Sequence, residues 1–138
     1  MTARETDQER WLRIAGEQPP FGRLLGIRIV SAEPDRVEAR LTVAPELGNR
    51  NGVMHGGAII GLADNMGGTA TFINLTEGQG TTTVESKTNF FRAIEVGSTI
   101  TAICEPLHKG RKTMVWQIRI LREDGKLAAI VTQTQLII

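Results

Sequence analysis

Nine residues, Asn49-Arg50-Asn51-Gly52-Val53-Met54-His55-Gly56-Gly57, run directly into the stretch GGAIIGLADNMGGTATF, whose single charge is Asp64. If that stretch is a helix, its first turn carries backbone N–H groups without intrahelical partners, and the helix dipole adds partial positive charge. Glycine at 56 and 57 lets a ligand oxygen approach the backbone, as an oxyanion hole for acyl transfer requires. Asp64 is the second chemical group. A carboxylate in an otherwise uncharged, apolar helix costs several kcal/mol to bury unless it is paired or hydrogen-bonded, and function is one reason to keep it there. Pairing with Arg50 or another core donor is the structural alternative for Asp64.

Spacing constrains how these groups can act. Asp64 follows Gly56 by eight residues, about 12 Å along a helix at 1.5 Å per residue. Donor and base must each lie about 3 Å from one reacting group, so a single helix cannot supply both. An antiparallel second copy would bring Asp64 of one chain to Gly56 of the other, and two-fold symmetry would make two such sites.

The surrounding elements follow from periodicity. Residues 5–15 carry Trp11, Leu12, Ile14 and Ala15 on one stripe, and Pro19-Pro20 should end that helix. Segments 26–30 and 37–43 flank Glu33-Pro34-Asp35-Arg36 and form a hairpin, the second with Val37, Ala39, Leu41 and Val43 on one face. The helix over 56–72 is apolar or small nearly all round and must be buried on most sides. Period-two stretches at 82–91, 99–106, 113–121 and 127–136 complete the set. Their separators, Glu95-Val96-Gly97, His108-Lys109-Gly110 and Glu123-Asp124-Gly125, favour antiparallel neighbours throughout. The expected class is α+β, a curved antiparallel sheet wrapped around one long central helix, with a short N-terminal helix.

Composition excludes several functions. The 138 residues suit one domain, 1–138, with residues 1–20 as a helical extension. Sixteen basic and fifteen acidic residues give a net charge of +1, with no basic block for a nucleic acid or an anionic membrane. Cys104 is the lone cysteine, and with two histidines it supplies no spaced metal-ligand set. The opening MTARETDQERW lacks the basic-then-apolar order of a secretory signal, and no apolar run approaches the roughly eighteen residues of a membrane span. The expected setting is the reducing cytoplasm.

The pattern Asn49-x-x-Gly52-x-x-His55-Gly56-Gly57 followed by Leu62-Ala63-Asp64 resembles the hotdog-fold acyl-CoA thioesterases of the phenylacetic-acid-degradation and thioesterase-superfamily-member-2 type. Thr83-Val84-Glu85, Gly97, Gly110-Arg111 and Asp124-Gly125-Lys126 occur in that family's order, so the likeness spans residues 21–137. The resemblance implies an acyl-CoA substrate, with coenzyme A part of it and no separate cofactor, and a homodimer or dimer of dimers. It implies that Gly56 polarises the thioester carbonyl with Asn49 assisting, and that His55 holds the loop near the thioester sulfur. Asp64 of the partner chain would act as base or nucleophile. Thr83 stands where the family often has a serine that orients the acid or its water. Arg92, Lys109, Arg111 and Lys112 are candidates for the coenzyme A phosphates by position. Phe72, Phe90, Phe91 and Met66 are candidates for the acyl pocket wall. Two other readings use the same residues: a hydratase or dehydratase in which His55 and Asp64 serve as acid and base, and a non-catalytic acyl-CoA binding module.

Overall fold

A computed structural model of the chain describes residues 3–138; Met1 and Thr2, the start of the expected N-terminal extension, lie outside the described residues. The first helix, α1 (Asp7–Gly16), opens with a capping box. Thr6 Oγ1 accepts from the Glu9 amide, and Glu9 Oε2 accepts from the Thr6 amide. Pro19-Pro20 ends this run, as expected, but it also starts another helix: α2 (Pro20–Leu25) has Pro20 at its first position and Gly26, at φ 83°, as its left-handed cap. Proline's fixed φ and missing N–H suit a first helical turn as well as they oppose an interior one.

Two strands, β1 (Arg28–Glu33) and β2 (Arg36–Thr42), form the expected hairpin. The long helix α3 (Gly56–Phe72) follows, and then β3 (Thr81–Phe90), β4 (Thr99–Lys109), β5 (Thr113–Leu121) and β6 (Leu127–Ile137). All pairings are antiparallel, and the strand order is β1-β2-β4-β5-β6-β3.

That order corrects one expectation. Strands β4, β5 and β6 are neighbours, but β3 does not pair with β4; it pairs with β6 along the far edge, and residues 91–98 carry the chain across the end of the sheet. The turn at Glu95-Val96-Gly97 exists, with Gly97 at φ 92°, yet it reverses the crossing segment rather than closing a hairpin. Composition explains the placement: TTTVESKTNF is too polar for the centre, whereas β4 buries Ile100, Ala102, Ile103 and Cys104.

The sheet wraps α3. Leu62, Ala63, Met66 and Ala70 of the helix and Leu41, Ile100, Trp116, Ile118 and Ile120 of the sheet belong to one fully buried cluster, and large side chains of this kind contribute about 1.5–3 kcal/mol each on burial. The indole N–H of Trp116 donates to Thr71 Oγ1 at 2.8 Å and ties β5 to the helix. Glycines at 61, 67 and 68 lower the intrinsic helix propensity by roughly 1 kcal/mol each; packing on the sheet offsets that cost.

Candidate active site

Every fourth residue of α3, Gly56, Ile60, Asp64, Gly68 and Phe72, is half-buried or exposed, while the helix buries its opposite side in the core. This uncovered stripe carries both predicted chemical groups.

At its N-terminal end His55 caps the helix. Its Nδ1 accepts from the Gly57 amide at 2.8 Å, and its carbonyl accepts from Ala58 and Ile59. The Gly56 amide therefore stands alone: among the described residues it has no acceptor. Because Nδ1 is an acceptor, neutral His55 carries its proton on Nε2 and can donate outward, but it offers no free base nitrogen. That geometry does not suit a hydratase that uses His55 as the base. Gly57 is small for a local reason, since a Cβ there would meet His55 Nδ1 at 3.0 Å.

The preceding loop is held by Asn49, whose Oδ1 accepts from the Asn51 and Val53 amides at 2.8 and 3.4 Å. Its Nδ2 has no protein acceptor among the described residues, so the amide can donate to a ligand. Asn49 and His55 line one shallow cleft, and Gly56 lines a second with Met54, Ile59, Phe90, Phe91 and Arg92.

Asp64 lies half-buried two turns further on. No cation pairs with it among the described residues, Arg50 included; its partners are neutral. Thr83 Oγ1 donates to Asp64 Oδ1 at 2.8 Å, and Gln133 Nε2 donates to the same oxygen at 2.6 Å. Oδ2 accepts from nothing among the described residues. Asp64 and Thr83 face a cleft of about 430 Å³ bounded by α3, the start of β3 and the segment from Ile14 to Pro19. Phe72 lines this cleft, and Phe90 and Phe91 line the Gly56 cleft. Met66 does not join them, since it is fully buried in the core; the apolar stripe of a helix wrapped by a sheet points mostly inward.

Two residues of this network went unread in the sequence. Gln133 and Gln135 on β6 are 0% and 1% exposed. Gln135 Nε2 donates to Thr83 Oγ1 at 2.7 Å and to Gln133 Oε1 at 2.8 Å, and Thr81 Oγ1 donates to Gln135 Oε1 at 2.9 Å. The available signal was parity: Gln133 and Gln135 continue the inward-facing series of Ala129 and Val131.

The four candidate cations do not cluster within one chain. Arg92 follows the end of β3, its guanidinium donating to the Leu127 carbonyl at 2.6 Å. Lys109, Arg111 and Lys112 lie at the opposite end of the sheet, where Thr81 pairs with Ile137 and Lys109 with Met114. The nine steps from Thr81 to Phe90 separate these ends by roughly 30 Å. Lys109 Nζ is held by the Asp35 carboxylate and Asn74 Oδ1. Cys104 is buried, and burial pushes its thiol well above the ordinary range, which removes it as a nucleophile.

This fold defines a class, and the comparisons with known proteins agree on it. The model of the thioesterase superfamily matches residues 51–129. The Pseudomonas aeruginosa protein PA1618 is 30% identical over 125 residues, covering 90% of this chain and 86% of that protein. The crystal structure of a variant of it, described as a thioesterase, superposes with a TM-score of 0.84 at 27% identity over 98% of this chain and 96% of that one. The 1,4-dihydroxy-2-naphthoyl-CoA hydrolase of Escherichia coli is 35% identical over 117 residues, 84% of each chain. The proofreading thioesterase EntH of Cronobacter turicensis is 32% identical over 102 residues, 74% of each chain. The chain belongs to the thioesterase superfamily and has its hotdog fold. Its activity is that of a thioester hydrolase.

Proposed function

We propose that the chain hydrolyses acyl-CoA thioesters at sites shared between two copies, Asn49, His55 and Gly56 coming from one copy and Asp64 with Thr83 from the other. The observation that carries this reading is the uncovered stripe of α3, which holds an amide and a carboxylate oxygen, both without partners among the described residues and about 12 Å apart, too far to serve one carbonyl from a single chain.

An antiparallel second α3 removes that separation. If position 56 faces position 64 across a two-fold axis, position 60 faces itself, and residue 60 is the exposed Ile60. The neighbouring strand supports the same arrangement. β3 forms one edge of the sheet and is exposed along nearly its whole length, with Val84 and Phe90 more than half exposed. Such an edge pairs readily with a second copy of itself. The same axis carries Lys109, Arg111 and Lys112 of one copy toward the end where Arg92 of the other lies, so that both groups can reach the phosphates of one coenzyme A.

In the shared site the thioester carbonyl oxygen accepts from the Gly56 amide, with the Asn49 amide assisting. Water adds to the carbonyl carbon as its proton passes to Asp64 Oδ2, the C–S bond breaks, and the sulfur leaves beside the Nε2–H of His55 with a proton returned to it. Attack by Asp64 itself would form an anhydride that water then opens; both routes use the same oxygen. The name of the Escherichia coli relative supports a coenzyme A thioester. The unpaired Cys104 is in keeping with a reducing cytoplasm.

Two measurements test the reading. Thiol release from benzoyl-, hexanoyl- and palmitoyl-CoA, read without enoyl conversion, is the expected activity; binding without thiol release would point to a binding module. Ile60→Cys, with Cys104 buried, is expected to give a disulfide-linked dimer under mild oxidation, because the two copies of residue 60 meet at the axis. A fully active chain that stays monomeric and uncrosslinked would contradict the shared site.

A further inference from the structure

We infer that Gln133 is a positioning residue: held by Gln135 in one orientation, it pins Asp64 Oδ1 and leaves Oδ2 as the oxygen that meets the substrate or its water. This inference rests on the proposed role of Asp64 and adds to it a residue and the identity of the reacting atom.

The hydrogen bonds run in one direction. A carboxylate only accepts, so Thr83 Oγ1 gives its hydrogen to Asp64 and must accept from Gln135 Nε2; that sets the Gln135 amide, whose Oε1 faces Thr81 Oγ1, a hydroxyl shared with the Leu136 carbonyl. Thr83 Oγ1, already an acceptor from Gln135, points its own hydrogen at Asp64 Oδ1, 2.8 Å away. Gln133 Oε1 is likewise occupied as an acceptor, so its Nε2 is turned to the same Asp64 oxygen at 2.6 Å. A flipped Gln133 would set its Oε1 against the carboxylate and its amide hydrogens against those of Gln135. Two donors on one oxygen fix the carboxylate plane and its rotation; the other oxygen has no partner among the described residues, and Asp64 lines the cleft.

The helix is shaped around this amide. A Cβ at Gly67 would overlap the Gln133 side-chain carbonyl, so Gly67 lets a fully buried glutamine lie flat against α3 and reach Asp64, one turn earlier. A hydrophobic residue at 133 would fill the core as well as Ala129 and Val131 do. Burying two glutamines there instead requires every polar atom to be matched, and the bonds above run from Thr81 to Asp64.

The test is Gln133→Met, which keeps the volume and removes the donor, with Gly67→Ala as a second variant that displaces the intact amide. With benzoyl-, hexanoyl- or palmitoyl-CoA, whichever the wild type turns over fastest, kcat should fall about 10- to 100-fold while KM stays within roughly threefold. In an Asp64→Asn background Gln133→Met should cause no further loss, because its effect passes through Asp64. Normal kcat in a folded, dimeric Gln133→Met variant overturns the inference, as does an undiminished loss in the Asp64→Asn background. If Gln133→Met does not fold, Gly67→Ala is held to the same outcomes. Inactivity of Asp64→Asn beside full activity of Gln133→Met refutes this inference alone; full activity of Asp64→Asn refutes the reading of Asp64 and this inference with it.

Discussion

Asp64→Asn is expected to lower kcat for acyl-CoA hydrolysis by about a thousandfold, near 4 kcal/mol of barrier, with KM changed only a few-fold. Asparagine is the informative substitution because it preserves what holds Asp64 in place. Its Oδ1 can still accept from Thr83 Oγ1 and Gln133 Nε2, which now sit 2.8 and 2.6 Å from that oxygen, so the fold and the dimer should survive. What disappears is the second oxygen as base or nucleophile, replaced by an amide nitrogen that can do neither. The checks are single-substrate kinetics and a thermal melt of the variant beside wild type. A folded variant with undiminished thiol release would transfer the chemistry to some other group.

Gly56→Pro should cost about 10²- to 10³-fold in kcat, the scale of losing one oxyanion donor. The substitution removes one N–H and little else. Gly56 is the first residue of α3, the position where proline is tolerated best. The residue before it, His55, already has the extended backbone, φ −63° and ψ 136°, that a following proline demands. The Gly57 amide stays capped by His55 Nδ1, so helix initiation is preserved. Gly56→Ala is the matched control: it keeps the amide, and its Cβ would rest 3.4 Å from the Phe90 ring, an ordinary contact. Near-normal turnover in the alanine variant beside collapse in the proline variant would assign the effect to the amide hydrogen.

The parts of this molecule that could be read from sequence are those where composition departs from the surrounding pattern. A single acid in a glycine-rich apolar helix, preceded by Asn49, His55 and two glycines, marks the candidate site because a folding core gives no reason for it. The hairpin and the strand positions followed from alternation. Pairing order did not, because a turn motif such as Glu95-Val96-Gly97 specifies a reversal and not the strand that comes to lie alongside; the polarity of TTTVESKTNF held that information. Gln133 and Gln135 escaped notice for the opposite reason. Polar residues on an alternating strand look like the wet face unless their parity is checked against Ala129 and Val131. Pro19-Pro20 read as a stop only, although proline begins helices as readily as it ends them. The cations could not be grouped from sequence because Arg92 and Lys109 lie at opposite ends of the sheet.

The most direct measurement mixes two inactive chains. Asp64→Asn and Gly56→Pro proteins, unfolded together at equal concentration and refolded, should form mixed dimers as half of the total. Each mixed dimer carries both lesions in one site and none in the other. Half of the dimers with half of their sites intact gives about a quarter of wild-type activity, from two preparations that are nearly inert alone. Recovery near that level would show that amide and acid come from different copies, whereas a mixture no more active than its components would place both groups in one chain and contradict the shared site.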